Sequence, residues 1–381
     1  MKRRDTKYAP GKVRDAIIHV LSFTSKPLPV DEIEERISRL IGPVPDSSVR
    51  SYLRLNTPDL FVRETRGMYT LQRETVAIQK DFPGLKAWRG PVEFGKSSII
   101  HADCFDWIEQ QQNNSFHAVV TDPPYGLHEY SPEQQDKLRN GKGGVWRIPP
   151  SFDGCNRSPL PRFTTLTEQQ LKDLRKFFFY WAELLLPKIV PGAHVVVASN
   201  PLLSHIVSTS LSEAGLERRG MIIRLTMTLR GGDRPKAANE EFPEVSVMPR
   251  SMWEPWLVYR RPIEGRVRDN LRKWGTGAFR RPSVDKPFGD VIVSAPTRKT
   301  ERALAPHPSL KPQAFLRQVV RAVLPLGKGI ILDPFAGAGS TLAAAEAIGY
   351  ESVGVEKDTH FFDMACASIP RLARFTPNGT H

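Results

Sequence analysis

The 381-residue sequence predicts an α/β fold, a mostly parallel sheet with helices on both faces, preceded by a small N-terminal α+β domain. Three observations carry this expectation. Two apolar, β-rich runs, His117-Ala-Val-Val120 and Gly329-Ile-Ile-Leu332, each lead into a proline-containing string where a strand would stop. The second run is followed by an alanine-rich segment, Ser340 to Ile348, and by another apolar run, Glu351-Ser-Val-Gly-Val355, so that the three together read as a β-α-β unit. The first 75 residues differ, with apolar residues at helical spacing followed by a short alternating hairpin.

In residues 1–75, Val13, Ile17, Ile18 and Leu21 recur along one helical face. Pro29 to Leu40 gives a second helix with Ile33 and Ile37 inward, and Pro45 opens a third that Asp46 or Ser47 is placed to cap. Leu60-Phe-Val-Arg63 and Gly67-Met-Tyr-Thr-Leu71 then alternate as a hairpin. Three helices and a β-wing resemble a winged helix-turn-helix domain, and that resemblance implies that Arg50, Tyr52 and Arg54 on the third helix meet a DNA major groove. Winged helices also bind proteins, and 14 Lys/Arg against 10 Asp/Glu in this segment do not separate the two roles. Residues 76–95, with Pro83-Gly84 and Gly90-Pro91, read as a linker.

The string Asp333-Pro-Phe-Ala-Gly-Ala-Gly-Ser340 follows the later strand. Pro334 stops a ladder, and Gly337 and Gly339 let the backbone turn tightly and approach a ligand. Glu356 lies 17 positions beyond Gly339 at the end of the next strand. An acidic residue about 20 positions past such a turn is placed to accept hydrogen bonds from ribose hydroxyls. The spacing departs from the dinucleotide fingerprint, because Leu342 stands where a third glycine would fall, and from a P-loop, because Ser340 stands where lysine would cradle phosphate. NAD and ATP are both disfavoured. Alone, a glycine turn that merely packs a helix on a sheet would read the same way.

The string Asp122-Pro-Pro-Tyr125 changes that balance. Two prolines hold the backbone extended, remove two N–H donors and leave carbonyls outward, a set of acceptors suited to an amino group. An exocyclic amine on a base is a poor nucleophile, and accepting both of its N–H protons returns electron density to it. The Asp122 carboxylate and the Pro123 carbonyl can accept those bonds, with Pro124 stiffening the corner and Tyr125 offering a face for a planar base.

With these two strings the chain resembles an S-adenosylmethionine-dependent, amino-methylating DNA methyltransferase. In that family the first string is catalytic and the second binds the methyl donor; here the catalytic string comes first, an order similar to the family's β group. The implied fold is a permuted Rossmann-like methyltransferase. Pro306-His-Pro-Ser-Leu-Lys-Pro312, leading into an apolar helix through Phe315, Val319, Val320 and Val323, resembles a family motif that implies Ser309 and Lys311 near the methionine end of the donor. Ile99-Ile-His-Ala-Asp103 reads as a strand whose Asp103 sits, by the same resemblance, beside the donor's adenine. The donor site implied is therefore Asp103, Ser309, Lys311, Asp333, Pro334, Phe335, Gly337, Gly339, Ser340 and Glu356. His194-Val-Val-Val-Ala-Ser-Asn200 resembles the strand after the catalytic one, and Trp253-Glu-Pro-Trp-Leu-Val-Tyr259 is a weaker match to a later strand.

These matches imply residues 96–214 as the catalytic half, 215–303 as a basic target-recognition region and 304–381 as the donor-binding half. Between Pro255 and Arg302, 12 Lys/Arg face 5 Asp/Glu, more than half of the chain's formal charge of +13. This stretch reads as irregular surface, with Arg260, Arg266, Arg268, Arg272, Lys273 and Arg280 as candidate phosphate contacts. Residues 128–163, with Arg147, form a loop that follows the catalytic string and is placed to close over a flipped base.

The function implied is transfer of a methyl group to adenine N6 in duplex DNA, site-specifically and with base flipping, in a restriction-modification or epigenetic role. Cytosine N4 presents a similar amine; Asp rather than Ser at position 122 favours adenine. Carbon methylation would need a cysteine nucleophile, and none of Cys104, Cys155 and Cys366 stands in a proline-cysteine turn after a strand. RNA or protein-amide methylation, and a non-catalytic DNA-binding regulator, remain the other classes. Cysteine spacing suggests neither a metal site nor a disulfide. No signal peptide or run of 18 apolar residues is found, so a cytosolic, nucleoid-associated protein is expected. Duplex DNA is the expected partner, with a homodimer by resemblance and a cognate restriction endonuclease as the companion such a role implies.

Overall fold

The computed structural model describes residues 12–22, 27–58, 60–71, 88–124, 166–230, 235, 237–238, 240–249, 251–307 and 309–377. They fall into two compact units that divide between Ala87 and Trp88.

The first unit runs α1 (Lys12–Ser22), β1 (Leu28–Pro29), α2 (Val30–Ile41), α3 (Asp46–Leu55), β2 (Phe61–Thr65) and β3 (Met68–Leu71). Strand β3 lies between β1 and β2 and pairs antiparallel with both. The helical spacing noted above buries one stripe of each helix: Ile17 and Leu21, Ile33 and Ile37, Val49 and Leu53 meet Phe61 in one core. The expected cap of α3 is corrected. Pro45, in an extended conformation, occupies the N-cap without a side-chain hydrogen bond, so Asp46 is already the first helical residue. Arg50 reaches from α3 to α2, donating to Glu34 Oε1 at 2.9 Å and Asp31 Oδ1 at 3.1 Å.

The second unit contains β4 (Arg89–Phe94), β5 (Ser97–His101), α4 (Cys104–Glu109), β6 (Phe116–Thr121), α5 (Glu168–Leu185), β7 (Ile189–Ala198), α6 (Ser204–Glu213), β8 (Glu217–Arg230) and β9 (Ser251–Arg260). It continues with α7 (Val267–Trp274), β10 (Val291–Val293), α8 (Lys299–Leu304), α9 (Gln313–Val323), β11 (Ile330–Asp333), α10 (Ser340–Ala347), β12 (Glu351–Glu356) and α11 (Thr359–Arg374). The described strands form a sheet in the order β10-β8-β9-β7-β6-β11-β12-β5-β4. Its centre, β7-β6-β11-β12-β5, is parallel; β9 runs antiparallel between β7 and β8, and β4 pairs antiparallel at the opposite edge.

Strand alternation divides the core into two layers. Val119, Leu332, Val195, Val197, Leu257 and Tyr259 pack against Leu174, Phe178 and Trp181 of α5 and Val207 and Leu211 of α6. Ala118, Val120, Ile331, Val196, Trp256 and Val258 face the other way, onto Phe315, Val319, Val320 and Val323 of α9 and Ala344 and Ala345 of α10. Each central strand is therefore covered on both faces, which is why these runs are apolar almost without interruption. Helix α5 begins at a capping box in which the Gln170 N–H donates to Thr167 Oγ1 and the Thr167 N–H donates to Gln170 Oε1.

Two boundaries expected from sequence change. Residues 89–94 of the supposed linker form β4, held on β5 by backbone pairing that Gly90 and Pro91 interrupt only locally. The segment 215–303 is more than irregular surface, because β8, β9 and β10 belong to the central sheet and Val267–Trp274 is a helix. Among the described residues no helix is long and apolar enough to cross a membrane.

Candidate active site

Strands β6 and β11 are parallel neighbours, with Ile331 opposite Ala118 and Leu332 opposite Val119. The proline string and the glycine string therefore leave the sheet side by side at the same edge. Helix α5, which follows β6, lies in one core layer, and α10, which follows β11, contributes to the other. A crevice between two parallel strands whose following helices lie on opposite faces of the sheet is the kind of place at which open α/β sheets bind ligands. Strand β12 pairs with both β11 and β5, bringing Glu356 opposite His101 and so close to Asp103.

The glycine corner is built by close packing. Gly337 and Gly339 both adopt left-handed backbone, with φ of 52° and 77°. A Cβ on Gly337 would lie 3.2 Å from His307 Nε2, and one on Gly339 would collide with Ile369 of α11. Gly339 is the N-cap of α10 and offers no side chain to its first turn, so the helix's leading N–H groups have no capping side chain. The Gly337 N–H donates to Glu356 Oε2 at 2.8 Å, and the Asp358 N–H donates to Oε1 at 2.7 Å. Burial raises the Glu356 carboxyl above its ordinary range against the pull of these backbone donors. Asp103 caps α4 through the Phe105 N–H and pairs with Lys357 Nζ at 2.6 Å.

Asp333, Pro334 and Phe335 shape the corner from beneath. The Thr121 hydroxyl donates to Asp333 Oδ1 at 2.7 Å, and the Phe335 N–H donates to the same oxygen at 3.2 Å. Burial pushes the Asp333 carboxyl up to about 6, opposed by Thr121, Thr341 and the Phe335 N–H. Pro334 is buried, and the Phe335 ring packs 5.9 Å from the rings of Phe177 and Trp181. Gln313, at the start of α9, donates to the Ser340 carbonyl at 2.9 Å, fixing the first residue of α10.

At the proline corner, Pro123 is buried and Pro124 exposed; Tyr125 and Arg147 lie outside the described residues. Asp122 Oδ2 faces Lys311 Nζ at 2.7 Å, and the same ammonium lies 3.0 Å from Glu254 Oε1. Glu254 Oε2 accepts from Arg224 at 2.7 Å. Burial would raise the Glu254 carboxyl, but Lys311 and Arg224 outweigh it and hold the group below its ordinary range. Burial would likewise lower Lys311, but Asp122 and Glu254 outweigh it and raise the ammonium. Lys311, expected from sequence near the methionine end of the donor, stands at the proline corner with its charge engaged by two carboxylates. Ser309 is exposed, and its N–H donates to His307 Nδ1 at 3.2 Å. Burial first, then Lys311 and His360, lower His307 to about 4.

The expected DNA contacts separate sharply. Arg268 and Arg272 on α7 are 66% and 76% exposed, and Arg266, Lys273, Arg50 and Arg54 are also exposed. Arg260 is 5% exposed, bound to Glu217 Oε2 at 2.6 Å and to the Gly277 carbonyl at 3.0 Å, and is withdrawn as a DNA contact. It sits on the β9 face buried by the neighbouring strand and loop. Arg280 is half-buried and donates to the Tyr350 hydroxyl.

Sequence reasoning missed Thr121, Arg224, Glu254, His307 and Gln313. A signal existed for two of them: Arg224 and Glu254 are charges inside otherwise apolar strand runs, where an unpaired charge would be too costly to keep. Among the described residues no group of three His, Cys, Asp or Glu could hold a metal ion.

A family model described as a DNA methylase, of the N6/N4 type, matches residues 116–367. The type II methyltransferase M2.DpnII of Streptococcus pneumoniae is 20% identical over 270 residues, 71% of this chain and 88% of that protein. The type II methyltransferase M.HindIII of Haemophilus influenzae is 23% identical over 290 residues, 70% of this chain and 93% of its own. Among solved structures, an M1.HpyAVI–SAM complex aligns with a TM-score of 0.41 and 18% identity, covering 71% of this chain and 98% of that one.

Proposed function

Because this chain belongs to the N6/N4 DNA methylase family, we propose that it methylates the exocyclic N6 amine of adenine at specific sites in duplex DNA. The family is amino-methylating and S-adenosylmethionine-dependent, and the order of β6 before β11 along the chain is that of its β group. The observation that carries the reading is the adjacency of Asp122 and the Gly337–Gly339 turn at the ends of two parallel strands. It supports a methyl donor and an acceptor amine within one crevice.

The residues present fit the donor. A glycine turn without Cβ atoms and a helix N-terminus without a capping side chain suit a backbone-bound carboxylate. Asp103 and Glu356 stand at the ends of the two neighbouring strands, where hydroxyl and amino groups of a nucleoside would meet acceptors. S-adenosyl-L-methionine supplies, when bound, a methyl group on a positively charged sulfur. Asp122 and the Pro123 carbonyl would accept hydrogen bonds from the two N–H groups of the target amine, which orients its lone pair for in-line attack. Methylation would place positive charge on the nitrogen, which the Asp122 carboxylate would stabilise electrostatically, and loss of one amine proton to solvent would leave the neutral methylated base. Tyr125 is assigned to stack on the flipped base, whose extrusion costs a few kcal/mol.

The exposed arginines of α7 and the N-terminal unit are assigned to DNA. The order helix, strand, two helices and a two-stranded hairpin in that unit supports a winged-helix reading, with α3 as its recognition helix. A restriction-modification role, a homodimer and a companion endonuclease complete the proposal.

The test is incubation of duplex DNA with donor and protein, digestion to nucleosides and identification of the product by mass. N6-methyladenine with wild type and none with Asp122→Ala is expected. N4-methylcytosine would transfer the same site to the other base, and labelled RNA or protein with inert DNA would overturn the reading.

A further inference from the structure

Lys311 and Asp122 are only the end of a longer chain of charges. Arg224 of β8, Glu254 of β9, Lys311 ahead of α9 and Asp122 after β6 alternate in sign, linked at 2.7, 3.0 and 2.7 Å. Arg224 is itself anchored: its Nε donates to Ser294 Oγ at 3.1 Å, its Nη2 donates to the Ala295 carbonyl at 3.3 Å, and its guanidinium lies 5.5 Å over the Phe315 ring. The side chains of Arg224, Lys311, Glu254 and Asp122 are 7%, 11%, 17% and 18% exposed.

An arrangement this buried is a poor stabiliser. Desolvating four charges costs much of what their attraction returns, and buried pairs replaced by apolar residues are often neutral or more stable. A reason other than stability is needed, and the geometry supplies one. The Lys311 ammonium holds the Asp122 carboxylate at Oδ2. A lone Lys311 would draw density from Asp122 and weaken it as an acceptor. Glu254 shares that ammonium, so Asp122 is not its sole counter-charge and keeps acceptor capacity for an amine.

We propose that Arg224, Glu254 and Lys311 are positioning residues that orient Asp122 and set its acceptor strength for the amine. The inference rests on the reading of Asp122 as the residue that holds the methyl-accepting amine. It also accounts for charges that the methyl donor does not require, since the chain leads away from the glycine turn towards β8 and β10.

The experiment uses the full chain with Lys311→Met, Glu254→Gln and the double variant. Lys311→Met removes the ammonium between two carboxylates, and since Glu254 keeps Arg224, their repulsion raises the Asp122 carboxyl. Its kcat at pH 7.5 is expected to fall about 100-fold, a size typical of losing one electrostatic contact in an active site. The acid limb of its kcat profile moves up by at least about one pH unit, while the dissociation constant for S-adenosylmethionine stays within about threefold. Adding Glu254→Gln removes the competing carboxylate and recovers about tenfold of kcat. Glu254→Gln alone, a near-isosteric change, lowers kcat with the donor constant unchanged.

A readout independent of turnover accompanies these rates. In the chain labelled with carboxyl-¹³C aspartate, the resonance absent from Asp122→Asn is expected to titrate at higher pH in Lys311→Met than in wild type, and to move back in the double variant. A donor constant weakened about 100-fold with kcat intact would make Lys311 a donor contact and overturn the proposal. So would a Glu254→Gln enzyme with wild-type kcat, or a resonance that does not move. Wild-type protein that methylates no DNA would sink the functional reading instead, and the titration would still decide the relay.

Discussion

Thr121 and Asp333, the last residues of two adjacent parallel strands, are joined by a 2.7 Å hydrogen bond from the Thr121 hydroxyl to Asp333 Oδ1. This bond ties the root of the proline corner to the root of the glycine corner. It also leaves a carboxyl in the core, raised to about 6 chiefly by burial.

A raised carboxyl makes the folded state bind its proton more readily than the unfolded chain. The stability linked to Asp333 is full below pH 3.8 and is lost as pH rises through about 6. Between pH 7.5 and 5.0, wild type should gain about 1 kcal/mol relative to Asp333→Asn, which keeps an acceptor for Thr121 without titrating. Urea unfolding of both proteins at the two pH values measures this, and parallel stability curves would contradict it.

His194 has the opposite sign. It is buried with its ring stacked 4.0 Å from Phe279, and burial, with Arg260 and Arg219, lowers it to about 3. The unfolded chain takes up the proton first, so stability is present above pH 6.5 and falls towards pH 3. From pH 6.5 to 4.5 the loss from this group is about 2 kcal/mol. Denaturant midpoints of His194→Gln should show a correspondingly flatter acid limb than wild type.

Arg260 and the α7 arginines should fail in different assays. Arg260→Ala strips a buried partner from Glu217 and the Gly277 carbonyl, and a loss of about 3 kcal/mol in unfolding free energy is expected with little change in how DNA affinity depends on salt. Replacing both Arg268 and Arg272 by Ala should leave stability intact and reduce the slope of log affinity against log salt by about 1.8, if each neutralises one phosphate. Fluorescence anisotropy on labelled duplex over a salt series, with thermal melts alongside, distinguishes the two classes. An Arg260 variant with a reduced slope and normal melting would return that residue to the DNA surface.

Gly339 should resist any side chain. Its φ of 77° disfavours other residues, and a Cβ would strike Ile369. Gly339→Ala is expected to cost about 1 to 3 kcal/mol through overpacking. Ile369→Ala added to it should recover part of that loss, whereas simple additivity of the two would argue against the collision.

The two strings, the β-α-β unit ending in Glu356 and the helical stripe of α9 were legible because each is local. Apolar periodicity identifies strand and helix, and proline and glycine mark where the backbone must turn. The sheet roles of β8 and β10 were not legible. Both lie in the segment 215–303, read from sequence as a basic target-recognition region, since strand pairing between distant segments leaves no trace in the composition of either. Arg260 illustrates the error: an arginine in a basic run looks like a phosphate contact until a neighbouring strand supplies Glu217 and a loop supplies a carbonyl. Lys311 illustrates the reverse, a residue flagged for the right region whose partners come from β6 and β9.

By itself the sequence determined which chemistry the chain carries: acceptors without donors in one corner, backbone without Cβ atoms in another, and an acidic strand end nearby. Those depend only on residue type and short spacing. The tertiary structure alone decided that β6 and β11 lie side by side, that Asp122 shares a buried ammonium with Glu254, and which arginines reach solvent. The strand pairing and the shared ammonium join residues from about 60 to more than 200 positions apart, and the energy of such contacts depends on distance and burial, neither of which is written in local sequence.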